Sequence, residues 1–317
     1  GTVKYLTICF LGIPFITAYN IISSIFRGLG DSKSPMYFIV IACASNIILD
    51  YLFIGALNMG PAGAALGTTL SQGLSVAVSL FVILKHCLGI ELKKADFKPL
   101  GSVMRKILKI GIPISLQDGF IQISFILITA IANRRGLTDA AAVGIVEKII
   151  GFVFLVPSSM LSAVSAIGAQ NIGAGKPKRA VYTLGYAIII SSVFSVAAAI
   201  TVQFAANGMV GLFTDDSAVI LSGGRYLKGY IWDCFFAGIH FSCSGYFCAA
   251  GKSGFSFLHN LLSIILVRIP GAYITSKLFA TTLLPMGLSS AAGSLFSVII
   301  CAVILAVMLK KGNYKSA

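Results

Sequence analysis

Residues 35–56 read PMYFIVIACASNIILDYLFIGA, and two polar side chains inside that run decide how the chain is read. A run of roughly 20 apolar residues is long enough to cross the hydrocarbon core of a bilayer as one α-helix. Asn46 and Asp50 stand within it. An ionised carboxylate at that depth costs roughly 2.5–3.5 kcal/mol on insertion scales, so it is kept where it faces a cavity, a partner or an ion. A spacing of four puts both side chains on one helix face. The next apolar run begins near Ala62 and carries Thr68. Going up one helix and down the next, Asp50 lies about five residues from the turn and Thr68 about six; at ~1.5 Å per residue their depths are similar. A carboxylate, an amide oxygen and a hydroxyl at one level can hold a proton or a hard cation such as Na⁺. Asn46, Asp50 and Thr68 are therefore the candidate cation-binding residues, with Asp50 and Asn46 the metal ligands if the ion is Na⁺.

The pattern extends along the whole chain. It is 57% hydrophobic and 11% charged, far from the balance of a soluble domain. About nine apolar runs succeed one another, near 5–26, 36–57, 62–84, 108–132, 139–168, 180–204, 226–250, 255–279 and 285–309, each of membrane-crossing length. The expected fold is an all-α polytopic membrane protein. Ten-residue alternating segments, the mark of a β-barrel, are absent. The longest hydrophilic stretch, 85–107, is too short for a soluble domain. It reads as a cytoplasmic loop between three helices in 1–84 and six in 108–317.

The net charge of +14 follows this topology. When loops are assigned alternately to two sides, one side collects Arg27 and Lys33, then Lys85, Lys93, Lys94, Lys98, Arg105, Lys106 and Lys109, then Lys176, Lys178 and Arg179, then Lys252, then Lys310, Lys311 and Lys315. The other side is poorer, holding Arg134, Arg135, Arg225 and Lys277 among a few others. Basic residues gather on the cytoplasmic side, which predicts a multi-pass protein of the cell membrane with a cytoplasmic C-terminus. No basic stripe is interleaved with exposed aromatic residues, so nucleic acid is not an expected partner. The seven cysteines show no metal-ligand spacing and read as small apolar packers.

The chain also echoes itself. Gly30-Asp31-Ser32-Lys33 before one span resembles Gly251-Lys252-Ser253-Gly254 before another, and Met59-Gly60-Pro61-Ala62 resembles Met286-Gly287-Leu288-Ser289. Spans one to three thus match spans seven to nine, giving two related helical bundles, a common transporter plan. Spans four to six have no counterpart. The chain opens Gly-Thr-Val-Lys and enters a span at once. A twelve-helix protein lacking its first three helices is the expectation.

These residues resemble a known family. Phe26-Arg27-Gly28-Leu29-Gly30-Asp31-Ser32-Lys33-Ser34-Pro35-Met36, the pair Asn46 and Asp50, and Gly60-x-x-Gly63-Ala64-Ala65-x-Gly67-Thr68-Thr69-x-Ser71-Gln72 are similar to the MATE (multidrug and toxic compound extrusion) family of cation-coupled efflux transporters. Gly111-Ile112-Pro113, Gly168-Ala169-Gln170-Asn171 and Val267-Arg268-Ile269-Pro270 extend the resemblance. It runs from the family's fourth helix to its twelfth. It implies two six-helix bundles in a V that alternate between inward- and outward-open states. Organic cations or other amphipathic drugs leave as Na⁺ or H⁺ enters. No cofactor beyond the coupling ion is expected, and the full-length protein is expected to be a monomer in the bilayer. The family's motif in one branch pairs Asn-x-x-x-Asp on the fifth helix with Thr on the sixth, which Asn46, Asp50 and Thr68 match. An Asp on the first helix, which this chain does not contain, completes that site. Another branch keeps an acidic residue on the seventh helix, where this chain has Gln117-Asp118-Gly119-Phe120-Ile121-Gln122.

Asp118, Gln122, Asp233 and Arg268 are the substrate-cavity candidates. For three of them a structural role competes: a helix-bridging hydrogen bond for Asp118, a hydrated carboxylate beside the interfacial Trp232 for Asp233, and an ion pair with some carboxylate for Arg268. Glu147 and Lys148 point to different faces and neither stands out. Pro14, Pro113, Pro157 and Pro270 fall inside spans and should kink them. Enzymatic readings fail. Gly28-Leu29-Gly30-Asp31 formally matches an intramembrane aspartyl-protease signature, but no Asp or Glu precedes Asp31 to serve as its partner. Ala250-Gly251-Lys252-Ser253 lacks the upstream glycine of a phosphate loop. The alternatives to drug antiport are a MOP-type flippase for lipid-linked saccharides, which wants an arginine-lined cavity, and a non-transporting truncated remnant.

Overall fold

The computed structural model describes residues 2–85 and 100–310. Cys87, Lys93, Lys94, Lys98, Lys311 and Lys315 lie outside the described residues, as does most of the expected inter-lobe loop. Of that loop, Lys85 closes a helix and 101–107 form the opening turns of another. Every regular element among the described residues is helical: α1 (Thr2–Gly28), α2 (Lys33–Asp50) running into a π-helical turn (Tyr51–Ala56), α3 (Pro61–Lys85), α4 (Gly101–Asn133), α5 (Leu137–Val153), α6 (Leu155–Gly173), α7 (Pro177–Gly211), α8 (Ser217–Ala249), α9 (Ser253–Ser263) running through a second π turn (Ile264–Arg268) into α10 (Ile269–Leu278), and α11 (Leu284–Lys310). They form two compact units, Gly1–Pro99 and Leu100–Ala317.

Among the described residues eight helical stretches are long and apolar enough to cross a membrane. The expected nine included 226–250, and α8, which contains it, does not reach that apolarity despite its 33 residues. The reason lies in its surroundings. It packs against α5, α6, α7, α9 and α11, so its polar residues meet protein rather than lipid. Leu137–Gly173 counts as one crossing broken at Phe154, where Pro157 cannot donate to the carbonyl four residues back. Pro14 and Pro113 sit inside helices assigned as continuous.

In the first unit α3 packs on both α1 and α2. Gly63, Gly67, Ser71, Ser75 and Ser79 recur every fourth residue on α3, and all are buried. Small residues at this spacing let helices approach closely in lipid, where apolar surface gives no driving force between them. Ser75 Oγ donates to the Phe38 carbonyl on α2 at 3.0 Å. Thr69 Oγ1 donates to the Ile8 carbonyl on α1 at 3.3 Å, lying against Gly12. Ile22, Phe26 and Phe38 form a small core, with the last two rings edge to face at 5.5 Å.

The second unit is layered along its helices. One apolar core joins the end of α4, the start of α5 and α8, and the end of α7, through Ile128, Val143, Val210 and Tyr226. The other joins the opposite ends, through Leu184, Phe247, Cys301 and Met308. Between them lies a buried polar layer containing Ser195, Asp233, His259 and Ser297. At one end Arg135 pairs with Asp139 at 2.7 Å and donates to the carbonyls of Ser276 and Ala280 at 2.6 and 2.9 Å, tying down the turn between α10 and α11.

The internal echo is visible in the backbone. Gly30 and Gly251 both take positive φ, 93° and 68°, and both end a helix in the same way. The next residue's N–H returns to the carbonyl five back, Asp31 to Phe26 at 2.9 Å and Lys252 to Phe247 at 2.8 Å. This double-bonded helix end needs a left-handed residue, which glycine adopts without a Cβ clash. The span after each glycine contains a π turn.

Candidate functional site

The position of Asn46 and Asp50 is set from the start of their helix. Asp31 Oδ1 accepts from the N–H groups of Lys33 and Ser34 at 2.9 and 3.0 Å, and Oδ2 accepts from Ser34 Oγ at 2.5 Å. The Ser34 hydroxyl, then its N–H, holds the Asp31 carboxyl below its ordinary value. Ser32, nearer the helix, makes no side-chain cap. Asp31 thus satisfies the orphan donors of the first turn.

Four turns on, Asn46 and Asp50 lie on the face of α2 that meets α3, and the residue they meet is Gly67. A Cβ there would overlap Asp50 Oδ1 and would stand 3.5 Å from Asn46 Nδ2. Both residues are half-buried. Asp50 Oδ1 and Asn46 Nδ2 are sealed from solvent, yet neither has a hydrogen-bond partner among the described residues. In a medium without water such a carboxylate oxygen is costly. The π turn begins at the next residue, Tyr51. Such turns occur mostly as single insertions in α-helices and often at functional sites. A groove of about 430 Å³ opens beside it, lined by Ile47, Asp50, Tyr51, Ile54 and Gly55.

Thr68 is placed differently. Its Oγ1 donates to the Ala64 carbonyl of its own helix at 3.0 Å and its side chain is exposed. The structure therefore joins Asn46 and Asp50 over Gly67 and leaves Thr68 bonded back to α3.

In the second unit the polar candidates separate. Asp118 and Gln122 are exposed on α4, and among the described residues neither has a hydrogen bond to a side chain. The buried neighbour is Gln117, whose Oε1 accepts from Ser256 Oγ at 2.6 Å. Asp233 is not a hydrated interfacial carboxylate: it is fully buried and paired with Arg268. The correction follows from α8 being the central helix, which places Asp233 in the protein interior while Trp232 faces outward, 40% exposed. Arg268 meets the carboxylate that a buried guanidinium needs, and its guanidinium also lies 5.7 Å from the Phe125 ring centroid. Glu147, passed over in the sequence, accepts from Thr129 Oγ1 at 3.1 Å.

Two buried histidines complete this layer. His259 Nε2 lies 2.8 Å from Ser244 Oγ, and Nδ1 lies 3.3 Å from Ser297 Oγ. Its ring centroid is 5.5 Å from that of His240. Both histidines stand inside apolar runs, and a polar residue in such a run is the same signal that marks Asp50. Among the described residues no group of three or more His, Cys, Asp or Glu could hold a metal ion.

With this geometry in hand, the chain can be compared with known proteins. The family model MatE matches residues 1–52 and 113–274. The chain is 33% identical over 305 residues to the Probable multidrug resistance protein YpnP of Bacillus subtilis (strain 168), covering 95% of this chain and 66% of that protein. It is 27% identical over 294 residues to the Multidrug export protein MepA of Staphylococcus aureus (strain NCTC 8325 / PS 47), covering 89% and 62%. The chain thus spans just under two thirds of the length of these relatives. A crystal structure of MATE in complex with MaL6 superposes with a TM-score of 0.89 at 19% identity, over 97% of this chain and 70% of that one. A MOP superfamily transporter from Pyrococcus furiosus does so with 0.88 at 20% identity, over 99% and 70%. These superpositions establish a fold of two helical bundles.

Proposed function

We propose, since this chain belongs to the MatE family of multidrug efflux transporters, that it works as a cation-coupled antiporter exporting amphipathic drugs or organic cations across the cell membrane. The observation that carries the reading is the Asp50–Asn46 pair, with a sealed carboxylate oxygen that no donor among the described residues satisfies. A proton or Na⁺ arriving there neutralises the carboxylate and removes its desolvation penalty. The loaded and empty sites then favour different packings of α2 on α3, and an ion shifts that equilibrium by as much as its affinity differs between the two states. A membrane potential adds about 2.3 kcal/mol per charge per 100 mV. The names of the relatives supply the class of cargo. The remaining expectations join the proposal: no cofactor beyond the coupling ion, a cytoplasmic C-terminus, and a monomer at full length. Asp118 and Gln122, exposed on α4, are the better candidates for lining a cargo cavity. Asp233 and Arg268 neutralise each other.

The flippase reading wants free intramembrane cations to hold phosphate, and Arg268 is already engaged by Asp233. The test is dye efflux from cells carrying the full-length gene, with Na⁺ and pH gradients imposed separately. Asp50→Asn should abolish efflux at unchanged expression. Normal efflux in that variant removes Asp50 from the mechanism.

A further inference from the structure

Along α3 the small-residue stripe carries side chains at Ser71, Ser75 and Ser79, and all three hydroxyls find acceptors. At Gly67 the room for a side chain is already taken by Asp50. A Cβ built there would overlap Asp50 Oδ1 and stand 3.4 Å from Asp50 Cγ and 3.5 Å from Asn46 Nδ2. The missing side chain is what allows Asp50 Oδ1 to be sealed between the two helices while the residue also lines the groove along α2.

We infer that Gly67 is a positioning residue of the cation site: its bare Cα face sets the depth and direction of the Asp50 carboxylate and holds the Asn46 amide beside it. The inference rests on the coupling-site reading of Asp50. A functional constellation must be held to within about 0.5 Å, and a methyl group at Gly67 displaces the carboxylate by more than that. Replacing glycine by alanine inside a helix favours the helix on intrinsic propensity alone. A loss of ion binding in Gly67→Ala would therefore oppose the local backbone preference and report the contact with Asp50. Gly73 on the same helix is the internal control. A Cβ there meets ring carbons of Phe15 at 3.8 Å, an ordinary contact.

The experiment uses the full-length transporter in proteoliposomes, measuring dye transport against Na⁺ concentration and against pH for the wild type, Gly67→Ala, Gly73→Ala and Asp50→Asn. Gly67→Ala should raise the half-saturating ion concentration by about tenfold, a displacement of about one pH unit where the ion is a proton. Its half-saturation for dye should stay at the wild-type value, and Gly73→Ala should match the wild type in both. Wild-type ion dependence in Gly67→Ala, with Asp50→Asn inactive, overturns the role of Gly67 alone. Wild-type ion dependence in Asp50→Asn overturns the coupling-site reading and this inference with it. Should Gly67→Ala not accumulate as folded protein, the double variant Gly67→Ala with Asp50→Ala decides. Truncating Asp50 removes the overlap, so recovered folded protein supports the close approach, and no recovery overturns it.

Discussion

Two carboxylates inside apolar helices have opposite fates in this protein. Each keeps one buried oxygen without a partner, Oδ1 in both, but among the described residues Asp50 has no ion pair, whereas Asp233 carries a guanidinium on its other oxygen. The difference fits a site that must bind and release a small cation against a site that must not change. Removing one member of a buried ion pair strands the other and costs about 3–5 kcal/mol, while replacing both by apolar groups is often neutral. Arg268→Met should therefore lower the thermal midpoint of the detergent-solubilised protein markedly. Adding Asp233→Leu should recover most of the loss. An equal or deeper loss in the double variant would show that the pair holds the fold by something other than mutual neutralisation. At this scale the sequence was only half legible. A buried arginine announces its need for a carboxylate, but linear spacing does not say which one, and Trp232 beside Asp233 pointed to the membrane surface. The helix is buried on the Asp233 face and open on the Trp232 face, a distinction that lies in packing. The spacing singles out Thr68 on α3, but its neighbour Gly67 is the residue that meets Asp50.

Whole helices were more legible than their contacts. Long apolar runs report spans because hydrocarbon demands them, and α1 to α7 and α9 to α11 fall where such runs stand. The exception is α8, screened from lipid by its neighbours and thus free of that demand. The π turns leave no mark in hydropathy, since one extra residue in a turn changes hydrogen-bond register and not composition. Helix ends carry their own chemistry: Gly30, Asp31 and Ser32 before Lys33 are residue types that suit a tight turn and a cap. Asp31 supplies that cap for α2, and its removal should cost about 1 kcal/mol. Its carboxyl is held below the unfolded value of about 3.9 by the Ser34 hydroxyl and N–H groups. The contribution is therefore fully present above that unfolded value and is lost as pH falls through the lower folded value. Thermal midpoints of wild type and Asp31→Ala should differ at pH 7 and converge as acidification carries the pH below the lowered folded value. A difference that persists unchanged in acid would show that Asp31 acts as a neutral cap.

For the molecule as a whole, the repeated turn, the repeated π-containing span and the third helix packing on both others make the first unit and the last three spans of the second two versions of one motif. In one version the π turn follows an acidic residue, Asp50. In the other it ends on a basic one, Arg268. This three-helix motif is thus carried twice, with the site that we assign to the ion in the version that leaves its charge without an ion pair among the described residues. The most direct measurement of that assignment is exchange in the reverse sense: proteoliposomes containing the full-length transporter and loaded with Na⁺ or buffered at low pH, with a drug gradient as the sole driving force. The wild type should release its coupling ion when drug is imposed outside, and Asp50→Asn should release none above empty liposomes. Drug-driven ion release at the wild-type rate from the Asp50→Asn protein would contradict the account.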